Sequence, residues 1–206
     1  MSSSFLGRIS HTENHTPKST LMKALIGNHT ESKPKDIDAY VVDGFFFLHL
    51  FANRLPMIYE DIIHFLLVKI VNFPAKELHL IFDNINSPSI KDIERDRRGS
   101  LERHTMFTTL GLKQKRPSNF PNAMRSDSFK IEFVKLLSRG LSDPSLGVSS
   151  TLGDKILYIT EGHSCFSFKN VDGRIIQTEE TEMRCTHEEA DSRVRKLYFF
   201  YLIGYL

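Results

Sequence analysis

Three short apolar runs recur along the chain, and an acid stops each of them. Residues 39–42 (AYVV) end at Asp43, the run Leu78, Leu80, Ile81 and Phe82 ends at Asp83, and residues 155–160 (KILYIT) end at Glu161. Continuous apolar runs of this length suit strands covered on both faces, as in parallel sheets. Gly44 follows the first acid and permits a close backbone approach or a left-handed turn. Two helical patterns come next. Residues 45–51 form an apolar helical start, and residues 59–71 (YEDIIHFLLVKIV) are apolar almost all round, which predicts a buried helix or one packed on two sides. Phe73-Pro74 closes it. Residues 129–137 (FKIEFVKLL) predict a helix whose core face includes Phe133, Val134 and Leu137, with Gly140 as its C-terminal stop. Residues 165–168 and 174–177 flank Asn170-Val171-Asp172-Gly173, a hairpin signal. Residues 105–112 are expected to be extended, and residues 113–128 and 140–154 to be loops. The pattern predicts an α/β domain.

The densest charge lies in residues 78–98, LHLIFDNINSPSIKDIERDRR. Pro88 fits the first position of a helix capped by Ser87, with Ser89 and Asp92 as a rival cap. That helix carries Lys91, Arg95 and Arg98 against Asp92, Glu94 and Asp96. It reads either as a solvated helix laced with pairs such as Glu94–Arg98, or as a basic helix gripping phosphate beside Asp83. Overall charge does not decide between them. Lys and Arg number 27 against 25 acids, a net +2, so any basic surface is local. Lys113, Lys115, Arg116 and Arg125, near Phe120, are scattered bases on a surface loop that could touch nucleic acid.

Residues 1–36 are rich in Ser, Thr, His, Asn and Lys and are expected to form a mobile leader, with the domain in residues 37–206. The first ten residues hold no long apolar core, so no signal peptide is expected. Two cysteines make no disulfide framework, and a reducing, intracellular setting (nucleus or cytoplasm) is the default. The final LYFFYLIGYL is apolar but far shorter than the roughly 20 residues of a membrane span. No membrane is expected, and self-association through this tail is.

Two constellations carry candidate chemistry. If the first two strands are adjacent and parallel, Asp43 and Asp83 converge at one sheet edge, where open α/β sheets bind ligands. Glu189 and Asp191, two apart at a helix start, reach the same place if that end faces the edge; simple capping is the competing account of these acids. Four carboxylates together repel unless divalent cations neutralise them, and hard oxygen ligands select Mg²⁺ or Mn²⁺. Such a centre cleaves phosphodiesters. The second constellation is His163-x-Cys165 with Cys185-x-His187. On neighbouring strands its four ligands would hold a structural Zn²⁺; buried free thiols are the competing reading.

Four pieces, in order, resemble the PIN-like domains, the fold shared with flap endonucleases and 5′-nucleases. They are VVDG at 41–44, IFDNINSPSIKDIERDRRG at 81–99, ITEGHSCF at 159–166 and CTHEEADSR at 185–193. The chain is most similar to a group of transposon-associated animal proteins with such a domain. The resemblance implies a three-layer α/β/α fold with a mostly parallel central sheet and a hairpin insertion. It implies metal-dependent cleavage of DNA or RNA, with Asp43, Asp83, Glu189 and Asp191 as the catalytic acids holding Mg²⁺ or Mn²⁺. Lys91, Arg95 and Arg98 would then position phosphate. The family continues into a further strand ending in an Asp-x-Asp element, which this sequence lacks. The expectation is therefore a domain truncated at its C-terminus, without the far part of the sheet. Its activity is then in question, and a non-catalytic nucleic-acid- or protein-binding module, or an inactive relic, is the alternative.

Overall fold

A computed structural model describes residues 37–85, 110–186 and Arg193. The leader at residues 1–36, the charged stretch beyond residue 85, residues 187–192 and the apolar tail lie outside the described residues.

The first acid-stopped run is β1 (Ala39–Asp43), and it passes directly into α1 (Gly44–Phe51). Asp43 makes that switch. Its backbone is still extended, and its Oδ1 accepts the N–H of Phe46 at 2.9 Å, satisfying one of the orphan donors of the helix start. Gly44 needs no left-handed backbone; it is there for close approach, because a Cβ would lie 2.4 Å from the Phe82 ring. Next comes α2 (Tyr59–Val71), which buries Tyr59, Ile62, Ile63, Leu66, Leu67 and Ile70. These positions form one broad stripe at helical spacing. Asp61, Val68 and Lys69 stay exposed, so the helix is packed on one face and not all round.

Strand β2 (Glu77–Ile81) follows, and the chain then reaches the short α3 (Phe120–Ala123) and the long α4 (Asp127–Ser142). Ser126 caps α4 by accepting from Phe129 N, and the helix buries Phe129, Phe133, Leu136, Leu137 and Leu141. Gly140 is not its stop. It lies inside the helix, where a Cβ would sit 2.2 Å from Ile63 Cδ1, so it lets α4 and α2 pack closely. The expected loop at residues 140–154 contains a 3₁₀ turn (Pro144–Leu146) and α5 (Ser149–Leu152).

The remaining strands are β3 (Ile156–Glu161), β4 (Ser164–Val171) and β5 (Arg174–Glu179). The β4–β5 turn is Asp172-Gly173, with φ of 50° and 79°. Positive φ at both residues is the Asp-Gly signature of a tight hairpin. A 3₁₀ turn (Thr181–Met183) then leads to Cys185.

The fold is a mixed α/β arrangement around one five-stranded sheet in the order β1-β2-β3-β4-β5. β1, β2 and β3 pair in parallel, whereas β4 pairs antiparallel with β3 and β5 antiparallel with β4. The expectation of a mostly parallel sheet therefore holds only for its first half. The hairpin continues the sheet through β3. Side-chain alternation separates the faces. Tyr40, Leu78, Leu157 and Phe168 form one cross-strand row, and Val42, Leu80, Ile159 and Phe166 the next; both belong to the core shared with the helices. The opposite face carries the row Val41, His79, Tyr158 and Ser167. There the fully buried His79 ring stacks on Tyr158 at 4.3 Å between centroids. Among the described residues, helices α1, α2, α4 and α5 share their core with the face that carries the Tyr40 and Val42 rows.

Candidate functional site at the carboxyl edge of the parallel strands

Each parallel strand delivers an acid to the same sheet edge. Asp43 and Glu161 are the last residues of β1 and β3, and Asp83 lies two residues beyond β2. In register, Asp43 stands opposite Ile81, and Leu80 opposite Ile159. Asp83 and Glu161 line one cavity of about 200 Å³, together with Phe45, Phe82, Asn84 and Lys130. Asp43, whose Oδ1 makes the capping bond, is not among the lining residues. The structure thus brings Asp83 together with Glu161, a residue absent from the expected acid set. Its signal was present in the sequence, since Glu161 ends an apolar run just as the two aspartates do. Lys130 sits on α4, its Nζ 3.2 Å from Asp127 and 5.4 Å from the centre of the Phe45 ring. Lys135 also lines the cavity and pairs with Glu132 at 3.0 Å.

The cavity wall is set by hydrogen bonds beyond the end of the β2 ladder. Thr160 Oγ1 accepts from Phe82 N at 2.7 Å and donates to Phe82 O at 3.1 Å. Side-chain bonding thereby extends the strand pairing by one peptide and delivers Asp83 past it. The Arg193 guanidinium is buried at 2% exposure beside the same peptide. It donates to Phe82 O at 2.7 Å, to Gly162 O, and to Cys185 O at 3.2 Å. Nothing in the spacing of the charged residues around Arg193 marks it for burial.

Glu189 and Asp191, Lys91, Arg95 and Arg98, and His187 lie outside the described residues. Among the described residues, no three His, Cys, Asp or Glu side chains gather to hold a metal ion. The carboxylates of Asp83 and Glu161 are hard oxygen donors that suit Mg²⁺ or Mn²⁺ chemically, and a full ligand set needs more than these two.

His163 and Cys165 do not share a strand. His163 is exposed in the two-residue turn between β3 and β4, its Nδ1 3.1 Å from Asn84 Nδ2 and 3.4 Å from Cys185 O. Cys165 is buried on β4, its Sγ 4.0 Å from Met183 Sδ. Cys165 and Cys185 are both buried free thiols. Burial pushes the Cys165 thiol up to about 12; Glu180 adds to this and Arg193 opposes it. The thiol is therefore protonated in the folded state across the range where a free thiol ionises. Iodoacetamide at pH 9 should label Cys165 only as fast as the protein opens, read by peptide mapping against a denatured control. Because the folded state binds this proton more tightly, stability should fall as pH rises from about 9 toward 12. Native Cys165 labelling at the denatured rate would refute the assignment.

The basic loop has a structural occupation. Arg116 donates to Pro56 O at 2.8 Å and Leu55 O at 3.2 Å and lies 5.7 Å over the Phe120 ring. Phe120 itself is fully buried and offers no face to a base. Lys113, Lys115 and Arg125 remain exposed. No helix among the described residues is long and apolar enough to cross a membrane. No family model, curated protein or solved structure matches the chain.

Proposed function

We propose that this chain is a PIN-like domain whose chemistry is metal-dependent hydrolysis of a nucleic-acid phosphodiester. One observation carries the reading: three adjacent parallel strands each lead into an acid at the same edge, and two of these acids face one cavity. That edge is where open α/β sheets bind their ligands.

In this reading Asp83 and Glu161, with Asp43, Glu189 and Asp191, hold Mg²⁺ or Mn²⁺. The bound ion would supply a water acidified for attack and neutralise charge on the leaving oxygen. The chain's own residues do the rest. Lys130 and Lys135 at the cavity offer positive charge to a phosphate, and Lys91, Arg95 and Arg98 hold the nucleic-acid backbone. The wall formed by Phe45 and Phe82 limits the solvent that reaches the reacting phosphate.

A second reading, a non-catalytic module that binds nucleic acid or protein, draws on the absence of a three-ligand cluster among the described residues. Cleavage of labelled single-stranded and flap DNA and RNA with Mn²⁺ or Mg²⁺ separates the two. Wild type should cut, and Asp83→Ala, purified alongside, should lose at least about a hundredfold, more than the loss typical of residues that only support metal ligands. Equal cutting by the two proteins would expose a contaminant. Equal cutting, or none in either protein, would leave only the binding module.

A further inference from the structure

We infer that Arg193 is a positioning residue for the cavity carboxylates, a role that rests on the reading above. Its guanidinium joins three separate stretches of chain through their carbonyls: Phe82 after β2, Gly162 in the β3–β4 turn, and Cys185 after the hairpin. Two of these three carbonyls belong to residues next to the acids of the cavity. The carbonyl of Phe82 belongs to the peptide that joins it to Asp83, and Gly162 is the residue after Glu161. One planar fork of donors therefore fixes the backbone from which both carboxylates project, and it does so from inside the protein, where Arg193 is 2% exposed.

The choice of residue fits this task. Arginine presents several N–H donors in a rigid plane, whereas lysine offers a compact point charge on a flexible stem. A lysine can reach one of the carbonyls but cannot span all three in one plane. Cys185 is tied in a second time, because its N–H donates to His163 O at 3.0 Å. The β3–β4 turn and the segment after the hairpin thus move together, and Arg193 couples both to the end of β2. Loss of the fork should free Asp83 and Glu161 to move independently while the sheet itself persists.

The test compares wild type, Arg193→Lys and Gly173→Ala. The last strains the hairpin tip, where φ is +79°, and serves as a control for lost stability alone. Two readouts are taken well below each melting temperature: amide hydrogen exchange, and Mn²⁺ affinity from the free-ion electron paramagnetic resonance signal. In Arg193→Lys, amides of residues 83–85 and 162–163 should exchange at least tenfold faster than in wild type, while β2 and β3 amides keep their protection. Mn²⁺ affinity should fall tenfold or more. Gly173→Ala should leave both unchanged. If wild type binds Mn²⁺ and Arg193→Lys binds it equally well, or the exchange rates do not change selectively, the positioning role is wrong and the metal reading stands. Absence of Mn²⁺ binding in wild type overturns the metal reading and the positioning role with it. If Gly173→Ala weakens Mn²⁺ as much as Arg193→Lys does, the effect is stability alone and the inference fails.

Discussion

Gly44→Ala is expected to destabilise the domain by about 2–3 kcal/mol, the cost of forcing extra volume into a well-packed core. The new Cβ would come within 2.4 Å of Phe82 Cε1 and 2.6 Å of both Cδ1 and Cζ, so the whole ring edge must retreat. Phe82 cannot retreat cheaply. It is 2% exposed and packs edge-on against Phe45 with ring centroids 4.9 Å apart. The gain in helix propensity at the first position of α1 is below about 1 kcal/mol and does not offset the clash. For a domain of this size such a loss lowers the melting temperature by roughly 4–12 °C. A second change isolates the cause. Phe82→Leu vacates the ring's space, so Gly44→Ala should cost less in that background than in wild type, and a double-mutant cycle measures the coupling. Additive effects would show that the ring is not what Gly44 accommodates. Because Asp83 follows Phe82 directly, Gly44→Ala should also weaken Mn²⁺ binding if the proposed site is correct.

The element pattern was legible because its signals are local. Apolar runs stopped by an acid mark β1, β2 and β3 to within a residue or two, and Asp172-Gly173 marks the hairpin turn. Each depends on residues adjacent in sequence. What the pattern did not show depends on contacts distant in sequence. Gly140 looks like a helix stop until Ile63 from another helix is brought against it. The periodicity of residues 59–71 could not show that one face of α2 stays exposed, because mean apolarity does not reveal how many partners a helix has. One exception is local: β4 returns antiparallel to β3 because the two-residue turn Gly162-His163 is too short for a parallel crossover, and β5 reverses again at Asp172-Gly173. The candidate site divides the same way. Strand-end acids are readable in the sequence, yet which of them share a cavity depends on how α4 closes over the edge. Arg193 could not be singled out, since a charged residue in a charged segment carries no mark of burial.

The largest effect expected from removing one hydroxyl lies at Thr160. Thr160→Val keeps the shape of the side chain but leaves Phe82 N–H with no acceptor at a buried position. A buried donor left unsatisfied costs about 1–3 kcal/mol, and the lost bond from the hydroxyl to Phe82 O adds up to about 1 kcal/mol. The second term is small because Arg193 Nη1 still donates to that oxygen at 2.7 Å. A net loss near 2–3 kcal/mol is therefore expected, seen as a lower midpoint in urea with an unchanged slope. Thr160→Ser separates polarity from packing. It retains both hydrogen bonds and gives up only a methyl group, so it should cost about 1 kcal/mol. A loss for Ser larger than that for Val would mean that the methyl, not the hydroxyl, holds the edge together, and the account of how Asp83 is delivered past β2 would be wrong. If Val alone is costly, the hydroxyl is what carries strand pairing one peptide beyond the ladder. The position of the Asp83 carboxylate then depends on the Thr160 hydroxyl of the neighbouring strand as well as on the Arg193 fork.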